Sequence, residues 1–393
     1  MNVASEPGLG RRLLLWAITL GIAVLSIEVM LQVYYYASSG GLLFRRVHPP
    51  IWSRDPIRCF ALKPDMDLEF RTNEFATHIY TNSQGMRSDA SRREVSPDKP
   101  PGVYRVLFLG PSFTFGWGSE WQDAYPTRIA EALRVPGKRV ELINLGTPGQ
   151  GAANQLCWLA EVGHRFAPDM LVNTVYGERL SPLPDGCPEL PCPYIDENGR
   201  MYVIEPTLGW RIRDVLKNFG IVFYGYYLVS ALAPDSAEGD TQMGREFYSQ
   251  VERETAASTD ELADGYEGYV RYVRRVVGAP IPVAFIHVPL SFVVHLEDRG
   301  RWRHLTGADP IFARARIQAE VAEMRSREIP VVDTTPVLVE RAPQERLFYW
   351  LDAHLTPAGN RVVAEASLPV LEALAASYEA RNSPSTTRAQ ARE

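Results

Sequence analysis

VYRVLFLGPSFTFG, residues 103–116, decides how this chain is read. The stretch 103–110 is a short, mostly apolar run bounded by Gly110 and Pro111. It is the length of a strand covered on both faces, and too short for a helix. The next residues, Gly110-Pro111-Ser112-Phe113-Thr114-Phe115-Gly116, place a serine directly after that strand and before a helical segment. At such a position the hydroxyl is exposed, and the free N–H groups and helix dipole favour a developing anion. Serine is equally a favoured helix cap, so this feature alone leaves nucleophile and cap both open.

Working outward, the same alternation recurs. VELINLG (140–146), MLVNTVYG (170–177), IPVAFIHVP (281–289) and IPVVDTT (329–335) read as further strands. Helical patterns fill the gaps over 125–133, 152–162, 260–277, 311–327 and 357–376. Strands alternating with helices predict an α/β three-layer sandwich around a five-stranded parallel sheet, spanning about 101–379. Ligands of such sheets bind at the carboxyl ends of the strands, so the residues just after each strand are where chemistry is sought. Residues 41–100, with short alternating runs and turn signals at Asn82 and Gly85, read as a small β-rich lead-in ending in the proline-rich linker 96–102. Residues 181–259 interrupt the alternation without a clear period and read as a substrate-facing insertion. The segment 380–393 lacks apolar content and reads as a disordered tail.

Near the C-terminus, WLDAHLTPAG (350–359) sets Asp352 two residues before His354, ahead of a helix opened by Pro357. A base held in one tautomer by a carboxylate has this composition. A surface loop in which the two residues cap the next helix has it too.

The N-terminus carries its own signal. Leu13–Tyr36 is a 24-residue run, apolar but for Thr19, Ser26, Glu28 and Gln32. As a helix it measures about 36 Å, against roughly 30 Å of bilayer hydrocarbon. Arg11 and Arg12 precede it, and Tyr34, Tyr35 and Tyr36 suit the far interface. An uncleaved anchor fits better than a cleaved signal peptide, whose apolar core is shorter and whose small-residue cleavage site is missing here. Either way residues 1–12 stay inside and the bulk of the chain is exported, to a periplasmic or extracytoplasmic location. In an oxidising compartment the CPELPC loop predicts a disulfide between Cys187 and Cys192, while Cys59 and Cys157 stand too isolated to assign.

Composition narrows the rest. The chain has 393 residues and a formal charge of -6, which offers no basic face for nucleic acid. A mean hydropathy of -0.16 excludes a polytopic membrane protein. His164, His287, His295 and His304 form no metal pair with a carboxylate at helical spacing, and the glycines of 146–151 make neither a dinucleotide fingerprint nor a phosphate loop. No metal and no cofactor is expected. The aromatic FYGYY at 223–227 reads as core or interface, and in a carbohydrate-facing protein would also suit sugar stacking.

Taken together, the serine after the first strand and the Asp-x-His before the last helix resemble the SGNH, or GDSL, family of esterases and acyltransferases. The resemblance extends over roughly 55–376. It includes Ile143-Asn144-Leu145-Gly146-Thr147-Pro148-Gly149, and the phrases Asn82-Ser83-Gln84-Gly85-Met86-Arg87 and Pro357-Ala358-Gly359-Asn360-Arg361 found in membrane-anchored bacterial members. It implies Ser112 as nucleophile, His354 as general base and Asp352 as the group orienting it, with the backbone or the strand-end Asp333 as alternatives in that last role. It implies an oxyanion hole from the N–H groups of Ser112 and Gly146. Two departures stand out. Pro111 replaces the family's Asp before the serine. Glu178 stands where the family has an Asn donor, and an ionised carboxylate donates nothing. Losing such a donor costs about 10²–10³ in turnover, unless Arg179 substitutes or Glu178 points away. The function implied is a membrane-anchored esterase or acyltransferase acting on small acyl esters, such as acetyl groups on a cell-envelope or exported polysaccharide. The alternative is a catalytically weakened binding or assembly protein that keeps the fold. Whether Ser112, Asp352 and His354 lie within hydrogen-bond reach separates the two.

Overall fold

The computed structural model describes residues 8–39, 43, 49–72, 74–176, 192–202, 205–232, 259–298, 310–350 and 352–382. The chain opens with a long helix, α1 (Leu9–Ser39). Five short strands follow: β1 (Trp52–Asp55), β2 (Cys59–Leu62), β3 (Asp67–Arg71), β4 (Ala76–Thr81) and β5 (Arg87–Ser88). Next come β6 (Val103–Leu109), α2 (Ser112–Phe115), α3 (Tyr125–Ala132), β7 (Arg139–Asn144), α4 (Ala152–Glu161) and β8 (Met170–Val175). Within the insertion lie a short hairpin, β9 (Tyr194–Ile195) and β10 (Met201–Tyr202), and two helices, α5 (Leu208–Leu216) and α6 (Gly220–Leu232). The chain closes with α7 (Thr259–Val277), β11 (Val283–His287), α8 (Ser291–Val294), α9 (Pro310–Ser326), β12 (Val331–Asp333), α10 (Thr335–Arg341) and α11 (Pro357–Asn382). The final helix therefore runs three residues into the expected tail, and 383–393 lie outside the described residues.

The polypeptide divides into two compact units. The larger, comprising 50–70, 76–204 and 239–393, is built on a five-stranded sheet in the order β7-β6-β8-β11-β12, with every pairing parallel. Numbered by their order within the sheet domain these strands run 2-1-3-4-5, so the topological switch point lies between β6 and β8. Ser112 follows β6 directly and so emerges at that switch point. The near-continuous apolar character of β6 has a simple cause. Leu107 and Leu109 pack on one face with Leu171, Phe285 and Tyr269, while Val106 and Phe108 pack on the other with Met170, Ile286 and Val363.

Arg105, the one charge in β6, is fully buried and fully used. Its guanidinium pairs with Glu141 at 2.6 Å and donates to the carbonyls of Ser96, Pro97 and Phe166. The proline-rich linker is thereby tied to the sheet. The lead-in forms a two-stranded sheet, β1-β2, and a three-stranded one, β3-β4-β5. Its β1-β2 hairpin sits on the loop after β7, where Trp52 donates to the Pro148 carbonyl, and Gln150 and Asn154 donate to the carbonyls of Phe60 and Arg58.

The disulfide corrects a sequence expectation. Cys192 is bonded to Cys59, 133 residues away, and not to Cys187, which lies outside the described residues. The hairpin β9-β10 packs beside β1, with Trp52 N–H donating to the Gly199 carbonyl and Arg54 to the Ile195 carbonyl. That packing delivers Cys192 to the turn carrying Cys59. Cys157 is buried and takes no part in a disulfide.

The smaller unit comprises 1–49, 71–75 and 205–238. Within it, α1 carries a 29-residue stretch, Leu9–Ala37, of mean hydropathy 2.2 with none of its most apolar window buried. It is long and apolar enough to be a membrane span or a signal sequence.

Candidate active site

The site assembles from two chain segments joined by one hydrogen-bond line. Pro111 occupies the cap position of α2 and Ser112 its first helical position. A proline there sacrifices no helical hydrogen bond, because its missing N–H lies outside the helix, while its carbonyl still accepts from Phe115. The replacement of the family's Asp by Pro111 is thus accommodated by local geometry. No side chain caps α2. The Ser112 hydroxyl instead lies 2.7 Å from His354 Nε2.

On the other side, His354 Nδ1 lies 2.5 Å from Asp352 Oδ1. The capping role is taken by Thr356, whose hydroxyl accepts from the Gly359 N–H at the start of α11. Asp352 and His354 are therefore not spent on the helix. Between them Ala353 adopts a left-handed φ of 63°, so the chain turns inside the Asp-x-His segment. A bridge between Phe348 and Leu355 closes that turn, with Tyr349 N–H donating to the His354 carbonyl. Asp333, the alternative orienting carboxylate, accepts from Thr335 N–H at the start of α10.

Burial opposes ionisation of Asp352, but the charge and hydrogen bond of His354, and a further bond from the Trp117 indole, outweigh it. The carboxyl is held below the ordinary aspartate value. Trp117 Nε1 donates to Asp352 Oδ2 at 3.1 Å, leaving Oδ1 for the imidazole. The imidazole lies between two aromatic rings, with Phe113 at 5.2 Å and Trp117 at 5.9 Å between centroids. Tyr349 donates to the Gly118 carbonyl, and Asn360 to Ser119 Oγ and the Leu355 and Thr356 carbonyls. The loop 116–119 and the segment 349–360 are stitched together at three points, by the Trp117–Asp352, Tyr349–Gly118 and Asn360–Ser119 bonds.

Gly146 sits in close contact with α2. Its N–H donates to Asn144 Oδ1 at 2.9 Å, so as the loop stands that donor is already engaged. What the position demands is closeness: a Cβ there would fall 2.2 Å from Phe115 N and 2.5 Å from Thr114 C. The buried Asn144 completes the contact by donating to the Thr114 carbonyl. Ser112 N–H has no acceptor among the described residues. Glu178 and Arg179 lie outside the described residues.

The upstream and downstream phrases resolve into supports for α2. Asn82 Oδ1 accepts from the N–H groups of Gln84 and Met86, shaping the turn that delivers Arg87. The Arg87 guanidinium is buried 4.5 Å from the Phe115 ring and donates to the His78 and Ser119 carbonyls. Burial lowers its pKa to about 10, against the opposing pull of Glu120. Behind α2, Thr114, Tyr125 and Thr174 join their hydroxyls in one buried cluster, and Tyr125 N–H donates to Asn360 Oδ1. Trp117 and Tyr349 carried no signal in the sequence. Among the described residues no three His, Cys, Asp or Glu side chains converge as a metal site.

Comparison with known proteins finds a matching family model and similar solved structures. Residues 247–393, just over a third of the chain and including Asp352 and His354 but not Ser112, match the family model described as SGNH hydrolase-like domain, acetyltransferase AlgX. The resemblance to the SGNH/GDSL family is borne out, and ester hydrolysis or acyl transfer is the reaction class it supports. Solved structures similar to this chain include a lipolytic protein of the G-D-S-L family from Veillonella parvula, at 11% identity over 68% of this chain and 97% of that one, TM-score 0.35. Another is a carbohydrate acetylesterase family member from Sinorhizobium meliloti, at 12% identity over 69% and 99%, TM-score 0.36. A catalytic mutant of Axe2, an acetylxylan esterase from Geobacillus stearothermophilus, matches at 12% identity over 68% and 94%, TM-score 0.36. The search of curated proteins found no match.

Proposed function

We propose that the protein is a membrane-anchored, extracytoplasmic serine acyl enzyme that takes acetyl groups from, or transfers them to, envelope or exported carbohydrate. The observation that carries this reading is the unbroken line from Ser112 Oγ to His354 to Asp352, at 2.7 and 2.5 Å. Three side chains in that relation serve one purpose more readily than any structural one, since Ser112 is only partly buried and caps nothing. The same line argues against the weakened binding protein.

In the proposed reaction Ser112 Oγ attacks the ester carbonyl carbon as its proton passes to His354 Nε2. Asp352 accepts from Nδ1–H and stabilises the imidazolium. The tetrahedral intermediate collapses, the C–O bond to the alcohol breaks, and His354 returns its proton to the leaving oxygen. An acyl-Ser112 ester remains. Water or a carbohydrate hydroxyl then gives its proton to His354, attacks the acyl carbon, and Ser112 leaves with that proton. Ser112 N–H is the first oxyanion donor. Gly146 N–H becomes the second once Asn144 Oδ1 releases it, each donor being worth about 10²–10³ in rate.

The acetyl group is inferred from the acetyltransferase description of the matching family model. The location is inferred from α1, with Arg11 and Arg12 inside, and it is supported by the Cys59–Cys192 disulfide, a bond at home in an oxidising compartment. The test is to incubate the full chain with p-nitrophenyl acetate, quench, and sequence the peptides by mass spectrometry. An acetyl group on the Ser112 peptide, absent from Ser112→Ala, is expected. Adding an unacetylated oligosaccharide then separates transferase from hydrolase by where the label ends. Turnover without an acetyl-Ser112 species in a slow variant such as Asp352→Asn would contradict the mechanism.

A further inference from the structure

Glu28 is an acid inside an apolar helix, and the structure shows what holds it. Its carboxylate accepts from the Gly220 N–H at 2.7 Å and the Ile221 N–H at 3.0 Å, and from Gln32 at 2.7 Å. Glu28 thus neutralises the open N-terminus of α6. Gln32 also donates to the Asn218 carbonyl in the turn joining α5 to α6. Beyond this cap the two helices run side by side. Tyr35 meets Phe223 edge-on at 5.7 Å between centroids, and Tyr34 meets Tyr224 at 5.8 Å. Gly220 allows the approach, since a Cβ there would fall 2.6 Å from Leu31 Cβ.

Among the described side chains, α5 and α6 expose a row of apolar residues. Leu208, Ile212, Val215, Leu216 and Phe219 are all exposed, at positions i, i+4, i+7, i+8 and i+11 of a helical period. On α6 Ile221, Val222 and Leu228 are exposed as well. Residues 218–232 contain no charged residue, while the three basic residues of the pair, Arg211, Arg213 and Lys217, precede them with Asp214. α6 has 13 residues, too few to span a bilayer and in the range of re-entrant or interfacial segments. The depth follows from α1. Glu28 lies about 22 Å of helix beyond Leu13, so the α5–α6 turn docked on it falls inside the far leaflet of a roughly 30 Å span.

We propose that residues 205–232 form a re-entrant membrane hairpin, docked on the N-terminal span by Glu28, with its apolar face on lipid acyl chains. This rests on the reading of α1 as an uncleaved span. The occupant is a lipid bilayer, because the exposed apolar residues lie on helices docked at membrane depth on α1, and because the Gly220 and Ile221 N–H groups satisfy the Glu28 acid at that depth. The hairpin adds a second point of membrane contact without a second crossing.

The test uses the full chain in nanodiscs containing doxyl-labelled lipid. A fluorescent amino acid is placed by codon reassignment at Leu20, Ile212, Leu228 or Glu365, one per protein. Leu20 reports the span, Ile212 and Leu228 the hairpin, and Glu365 the exposed surface of the sheet domain. Quenching at Ile212 and Leu228 comparable to Leu20, with none at Glu365, is expected. Glu28→Ala, with Leu20 still quenched, should reduce quenching at the two hairpin positions. Quenching at Leu20 alone overturns the hairpin while leaving the anchor. No quenching at Leu20 overturns the anchor and the hairpin with it. Protection of Ile212 and Leu228 from both doxyl lipid and aqueous iodide shows a protein partner or second copy on the face, and also overturns the proposal.

Discussion

Replacing Trp117 by Phe tests whether the indole N–H serves the site or only fills space. A smaller aromatic ring remains beside His354, Phe70 and Phe115, and the 3.1 Å bond to Asp352 Oδ2 is lost. A hydrogen bond to a charged group contributes about 1.5–3 kcal/mol. Asp352 retains 22% side-chain exposure, so water partly replaces the indole and the lower end applies. About 1.4 kcal/mol corresponds to one pH unit in the carboxyl and a tenfold change in rate. Asp352 is held below its ordinary value in part by Trp117, so removing the indole raises it. An acid limb of kcat/KM set by ionisation of the Asp352 carboxyl then moves to higher pH. The assay is p-nitrophenyl acetate hydrolysis across pH 4–9, with thermal unfolding alongside. The expected result is kcat/KM lowered about tenfold through kcat, with KM little changed. Tyr349→Phe is the structural control. It removes the bond to the Gly118 carbonyl, costing about 1 kcal/mol of stability, and leaves the acid limb in place. Wild-type kcat/KM and an unmoved limb in Trp117→Phe would refute the role given to Trp117.

Other outcomes follow from particular contacts. Gly146→Ala forces a Cβ into the backbone of α2, so it should destabilise by about 1–3 kcal/mol or more, seen as a lowered Tm or failure to accumulate. Cys59→Ser opens a link across 133 residues and should cost about 2–5 kcal/mol in denaturant unfolding, whereas Cys187→Ser should leave the midpoint unchanged. Burial raises the Tyr104 and Tyr125 phenols above their ordinary value of 10.0, and Asp169 adds to the effect at Tyr104. The unfolded chain therefore releases these protons first. Stability is intact below pH 10 and falls above it by about 1.4 kcal/mol per pH unit for each tyrosine. Thermal scans from pH 9 to 11.5 should show this, flattened in Tyr104→Phe, which at neutral pH costs little because its hydroxyl has no partner.

What the sequence made legible was local. An apolar strand ending in Gly-Pro-Ser shows its chemistry within ten residues, and Asp-x-His shows its own within three. The parallel sheet is legible for the same reason, since strands buried on both faces are written as unbroken apolar runs. Contacts between distant segments left no such trace. The Trp117 bond to Asp352 joins positions 235 apart, and nothing in the spacing of either marks it. Proximity along the chain favours Cys187 as the partner of Cys192, whereas the packing of β9 beside β1 selects Cys59. The bond from Gly146 N–H to the neighbouring Asn144 side chain is visible only in three dimensions. The insertion hid its helices because α6 is apolar on every side, which erases periodicity.

The central claim is that Ser112 is activated by His354. A fluorophosphonate probe applied to the folded full chain measures this directly, with Ser112→Ala and His354→Ala compared at matched Tm. The account predicts that the wild type labels at Ser112, that Ser112→Ala does not label, and that His354→Ala labels at a small fraction of the wild-type rate. A wild type that folds, keeps its disulfide and fails to label, or a His354→Ala variant that labels as fast as the wild type, would contradict it.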